Sequence, residues 1–222
     1  MISQQKSLHH VFKLVTCIGV FLFLSSCSSA YYGAMEKVGI HKRDILVDRV
    51  ADARDAQAEA QQQFKSALEQ FNSVVKLEET DLKKAYDKLN SEYEDSKAAA
   101  ENVSKRIDKV ESVSAALFEE WQTELDQYQN RDLRRSSQEQ LEKTRIHYRE
   151  MLASMHQAEK SMEPVLRIFN DNVLFLKHNL NAQAIGSLQS EFANLKGEID
   201  QLVTKMNTAI AESDKFIAGM KQ

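Results

Sequence analysis

Residues 82–121 read LKKAYDKLNSEYEDSKAAAENVSKRIDKVESVSAALFEEW, a stretch with no Gly and no Pro. Within it, Leu82, Tyr86, Leu89, Tyr93, Ser96, Ala100, Val103, Ile107, Val110, Ser114, Leu117 and Trp121 recur in steps of four and three. An α-helix turns once per about 3.6 residues, so this rhythm lays one largely apolar seam along one side, as in coiled coils. Phe118 and Leu125 widen the stripe. A wide apolar face suits a bundle of several helices rather than a two-stranded rod.

The same rhythm extends to both sides. Before it stand Leu46, Val50, Ala53, Gln57, Ala60, Phe64, Ala67, Phe71 and Val74. The last segment repeats it with Leu188, Phe192, Leu195, Ile199, Leu202, Met206, Ala209, Ser213, Phe216 and Met220. A less regular segment between them carries Leu133, Leu141, Tyr148, Leu152, Met155, Met162, Val165, Phe169, Val173, Leu176 and Leu180. Its Pro164 is the only proline of the chain, and the missing N–H is expected to kink or restart the helix. Breaks fall at Lys76 to Thr80, with Thr80 or Asp81 as N-cap, at Asn130-Arg131-Asp132, and at Asn179-Leu180-Asn181, where one Asn suits a left-handed C-cap. Short connections make neighbouring helices antiparallel. The fold expected is all-α: an elongated antiparallel bundle of four long helices, about 43–75, 81–129, 132–179 and 182–220, with coiled-coil-like packing. The seven-residue step Leu68, Val75, Leu82, Leu89 keeps one continuous helix across the first break as the rival. At about 1.5 Å per residue the inner two helices outreach the outer two, so the hairpin at 129–132 is expected to protrude.

Ahead of the bundle, Lys6 and Lys13 precede an apolar run from Leu14 to Leu24, and no acid appears before Glu36. The run is shorter than the roughly 20 residues a spanning helix needs and suits the apolar region of an export signal. Leu24-Ser25-Ser26-Cys27 resembles the lipobox of bacterial lipoproteins. That resemblance implies cleavage before Cys27 and acylation of Cys27 by a diacylglycerol and an N-linked chain such as palmitate, which anchors the chain in a lipid bilayer. It also implies, from Ser28 rather than Asp after the cysteine, transfer to the outer membrane facing the periplasm. The chain thus divides into a signal peptide at 1–26, a lipidated Cys and tether at 27–42, and a helical bundle at 43–222. The other cysteine, Cys17, lies in the segment to be removed, so no disulfide is available to the mature chain. The mature chain carries 27 basic and 33 acidic residues. This balance argues against nucleic acid as a partner.

The chain lacks a Gly-rich phosphate loop, a G-x-S-x-G motif and a thiol nucleophile outside the anchor, which points away from an enzyme. No metal or other cofactor is expected. His147-x-x-Glu150 and His156-x-x-Glu159 reverse the Glu-x-x-His order of di-metal bundles, and both stand on one helix. Trp121, Tyr128, Met151, Met155 and Met162 read as core fillers. Two helix ends stand out as candidate contact sites. Arg131, Arg134 and Arg135, on the protruding hairpin at the pole where the tether enters, are candidates for contact with anionic lipid, worth about 1 kcal/mol per charge near the surface. Lys177, His178, Asn179 and Asn181 at the opposite pole are candidates for binding a protein partner.

Residues 31–44 (YYGAMEKVGIHKRD), 116–121 (ALFEEW) and 175–182 (FLKHNLNA) resemble an uncharacterised family of bacterial lipoproteins classed as a domain of unknown function. The resemblance spans essentially the whole mature chain and implies no activity. Three function classes stay open. The first is a non-enzymatic scaffold or adaptor for a protein partner in the cell envelope. The second is a membrane-surface-binding or membrane-shaping module, for which self-association into a homo-oligomer matters. The third is a metal- or ligand-binding bundle.

Overall fold

Each seam becomes the buried face of a helix. The computed structural model describes residues 26–76, 82–179 and 182–221, and the side chains of 26–30 and 182–184 are not among those described. The export signal, the cap at Thr80 or Asp81, Leu180 and Asn181, and the side chain of Cys27 therefore lie outside the described residues. The described residues are all-α: α1 Ser26–Lys37, α2 Lys42–Val74, α3 Leu82–Glu124, α4 Arg131–His178 and α5 Ala182–Met220, with a 3-10 turn at Leu125–Gln127 after α3. That is five helices where four are expected. The addition is α1, because the segment read as a tether is largely helical.

α2 and α3 are separate helices lying side by side. Arg106 reaches Asp52 at 3.0 Å and Gln63 reaches Glu92 at 2.9 Å. On one continuous helix, Asp52 and Arg106 would stand about 81 Å apart. Contacts between α3 and α4 run the same antiparallel way, from Trp121–Ser137 through Ser114–Tyr148 to Glu111–His156. So do those between α2 and α5, from Arg54–Asp214 through Gln61–Asn207 to Gln189 and the Val75 carbonyl. α4 packs against α5 as well, so each of the four long helices touches two others around one shared core.

The core is graded along its length. Phe71 is fully buried between Phe169 and Phe192, with Tyr93 edge-on to Phe169, at the end where α2 stops. Phe118, Tyr148 and Phe216 form a second aromatic layer near the other end. Between them buried alanines, Ala53, Ala56, Ala60, Ala100, Ala158 and Ala209, alternate with larger buried side chains such as Phe64, Ile107, Leu202 and Met206. Met151, Met155 and Met162 fill the core as their spacing implies.

Three local expectations change. α4 does not restart at Pro164 but continues through it, with Met162 and Val165 buried on either side. Asn179 ends α4 at φ −129 rather than in the left-handed region, and its side-chain amide donates to the Phe175 carbonyl instead. Tyr128 leaves the seam and is exposed, because α3 tightens into the 3-10 turn after Glu124 and the helical phase is lost.

Candidate functional site

The helix lengths decide which surfaces stand clear. α2 and α5 have 33 and 39 residues, α3 and α4 have 43 and 48. At about 1.5 Å per residue these are roughly 50, 58, 65 and 72 Å. Lys42, the first residue of α2, meets Glu120 at 2.8 Å, and Phe216 near the end of α5 meets the Tyr148 ring. Beyond those contacts the end of α3, the 3-10 turn and the start of α4 continue as a two-helix finger.

The finger has its own small core. Leu125 and Leu141 are buried although they stand apart from the main cluster, and the Trp121 indole N–H donates to Ser137 at 2.8 Å. Asn130 caps α4 by accepting from the backbone N–H groups of Asp132 and Leu133 at 2.9 and 3.1 Å. At the tip, Tyr128 is 41% exposed and Leu133 58% exposed. The three arginines there are not a free basic patch. Arg134 pairs with Asp126 at 2.7 Å and Arg135 with Asp132 at 3.0 Å, leaving Arg131 without an ion pair among the described residues. Exposed pairs of this kind contribute little stability but they cancel most of the local charge.

α1 lies against the same end of the molecule. The buried Tyr32 shares a hydrogen bond of 3.1 Å with Ser112 of α3, and Lys42 holds the carboxylates of both Glu36 and Glu120. α1 therefore runs parallel to α3, folded back along its flank. The reversal between α1 and α2 needs Gly39, whose φ of +85 a side chain would strain. Lys42 is only 11% exposed. Burial disfavours its charge, yet the two carboxylates outweigh this and raise its pKa above the ordinary lysine value. The Lys42 hydrogen bond holds Glu36 below the usual carboxylate range, whereas burial pushes Glu120 up. Lys42 is the clasp between α1, α2 and α3.

At the opposite pole Lys177 and His178 are exposed at the end of α4, as a partner-binding tip requires. Asn179 is committed to Phe175, and Asn181 lies outside the described residues. Sequence reading passed over the neighbouring Leu174 and Phe175, both exposed. Their position just off the seam pair Val173 and Leu176 was the available signal.

Two histidines of α4 lie beside carboxylates. His147 approaches Glu150 at 3.5 Å, and His156 lies between Glu111 at 3.1 Å and Glu159 at 2.9 Å. The described residues hold no group of three or more His, Cys, Asp or Glu able to share a metal ion, and no helix among them is long and apolar enough to cross a membrane.

Comparison with curated proteins and with solved structures returns no match. The family model described as "Protein of unknown function (DUF2959)" matches residues 31–220, a span that holds all of α2 to α5 and the three stretches quoted above. With nearly the whole helical part of the molecule inside that match, the chain belongs to this family.

Proposed function

We infer that the protein is a lipid-anchored envelope protein, held at Cys27 in the outer membrane and facing the periplasm, that acts as a non-enzymatic scaffold or adaptor for a protein partner. In this reading the four long helices serve as an elongated antiparallel bundle with coiled-coil-like packing. The observation that carries the reading is the two-helix finger, which stands clear of α2 and α5 and ends in exposed Tyr128 and Leu133. Exposed aromatic and aliphatic side chains on a rigid support are the usual anchors of a protein interface. Photo-crosslinkers placed in living cells at Tyr128, Leu133, Lys177 and His178 test it. One protein recovered repeatedly from adjacent positions supports the scaffold, and adducts with lipid alone sink it. The anchor is tested separately by labelling with palmitate, which Cys27→Ser is expected to abolish along with membrane retention.

A second reading, contact with the membrane surface, draws on a different observation. Val38, 71% exposed, and Ile40 project from the α1–α2 turn at the end of the molecule that also carries the finger. Exposed apolar side chains at an end that also carries cations suit an interfacial position. Lipid adducts at Val38 and Leu133, with no protein adduct, favour this reading.

A further inference from the structure

α4 and α5 part near the finger and leave a cleft of about 680 Å³ between them. Its walls are two helix faces of matching period, Gln140, Lys143, Thr144 and His147 on α4 and Glu212, Lys215, Phe216 and Gly219 on α5. Each set follows the i, i+3, i+4, i+7 spacing of one helical face. Gly219 gives α5 no side chain there, and a Cβ built on it would meet nothing within 4 Å. Phe216 and Met220 are buried and make an apolar floor. Phe216 is also held in place by the Tyr148 ring, 6.3 Å away.

The rim has the opposite sign to the whole molecule. The chain carries a formal net charge of −4, yet Arg43, Lys143 and Lys215 face this cleft against the single acid Glu212. Lys143 has no ion pair among the described residues, and Lys215 is shared with Glu212 only at 3.5 Å. The C-terminus of a helix ordinarily repels anions. Here Arg43 donates to the Met220 carbonyl, so that end of α5 is already offset. The volume falls within the roughly 300–1,000 Å³ of small-molecule sites.

A cationic rim over an apolar floor selects a ligand with an anionic head and an apolar tail. We propose that the α4–α5 cleft is a binding site for a single-chain lipid anion, its carboxylate or phosphate head held by Lys143, Lys215 and Arg43 and its chain lying on Phe216 and Met220. The site is built from the bundle alone and does not require Cys27 to be acylated.

The test uses full-length protein in phosphatidylcholine vesicles and a palmitic acid analogue carrying a diazirine. Photolysis is expected to label peptides holding residues 140–147 and 212–220. The double variant Lys143→Glu with Lys215→Glu removes two charge-assisted contacts and is expected to cut labelling by about tenfold or more. Gly219→Phe fills the cleft without touching its charge and is expected to do the same. All three positions are exposed, so circular dichroism melting should match the parent, and either variant alone reads the site if the other fails to fold. Competition by palmitate alone assigns a carboxylate head. Competition by lyso-phosphatidylglycerol alone assigns a phosphate head, and competition by both assigns the common anionic class. Labelling unchanged in both variants, label mapping elsewhere, or equal competition by dodecyltrimethylammonium overturns the proposal.

Discussion

His156 of α4 sets its Nε2 3.1 Å from the Glu111 carboxylate of α3, while its Nδ1 meets Glu159 at 2.9 Å. Partial burial disfavours the imidazolium, but the two carboxylates outweigh it and raise the pKa above the ordinary 6.5. A raised folded-state pKa means that the stabilisation is complete below 6.5 and is lost as pH climbs through the higher folded value. The melting temperature of the parent minus that of His156→Gln should therefore be largest at mildly acid pH, where the carboxylates are still ionised, and shrink above 6.5. A difference that stays flat or grows with pH would contradict the bridge.

Gln57 offers the opposite case. It is fully buried in the Ala-rich middle of the core, and neither its amide nitrogen nor its amide oxygen meets a protein partner. Burying an unpartnered amide costs free energy that an apolar side chain of similar size does not. Gln57→Met should raise the unfolding free energy by about 1–2 kcal/mol in a denaturant titration. A lowered midpoint would show that the amide is satisfied in solution.

The clasp at Lys42 predicts a local effect. Lys42→Met leaves Glu36 and Glu120 facing each other with nothing between them. Amide exchange in α1 and at Val38 to Ile40 should accelerate far more than in α3 or α4. The global loss should stay near about 1–2 kcal/mol because both carboxylates are partly solvated.

Phe71 and Leu133 should separate stability from recognition. Phe71 is wholly buried against Phe169 and Phe192, and Phe71→Ala should cost about 3–5 kcal/mol. Leu133→Ala, at the exposed tip, should change stability by less than about 0.5 kcal/mol yet reduce crosslinking to a partner through the finger.

The long helices were legible because each keeps its seam over many turns, so a few polar intruders such as Gln57 and Ser96 do not break the pattern. The protrusion of the α3–α4 hairpin followed from helix length alone. α1 was not legible, since among its described side chains only Tyr32 and Met35, three residues apart, face the core. Such a short signal is indistinguishable from a turn-forming tether. The fate of the cations at this pole was equally hidden. Lys42 and Arg43 are adjacent in sequence, but one is enclosed by Glu36 and Glu120 while the other reaches the end of α5. Which long-range partner each meets is a property of the packed bundle. The α4–α5 cleft depends likewise on the register that brings 140–147 of α4 beside 212–220 of α5, which neither helix encodes by itself.

The direction of α1 bears on how the whole body can move. Because α1 folds back beside α3, its first residues sit level with the shaft of the molecule and not at its tip. A rod fastened at its end sweeps out a dome above a surface, whereas one fastened at its flank is confined to lie or tilt along that surface. Fastened through the start of α1, the body would be like a boat moored amidships. Its finger would search sideways over a broad disc close to the bilayer, and releasing the Lys42 clasp would convert that disc into a dome.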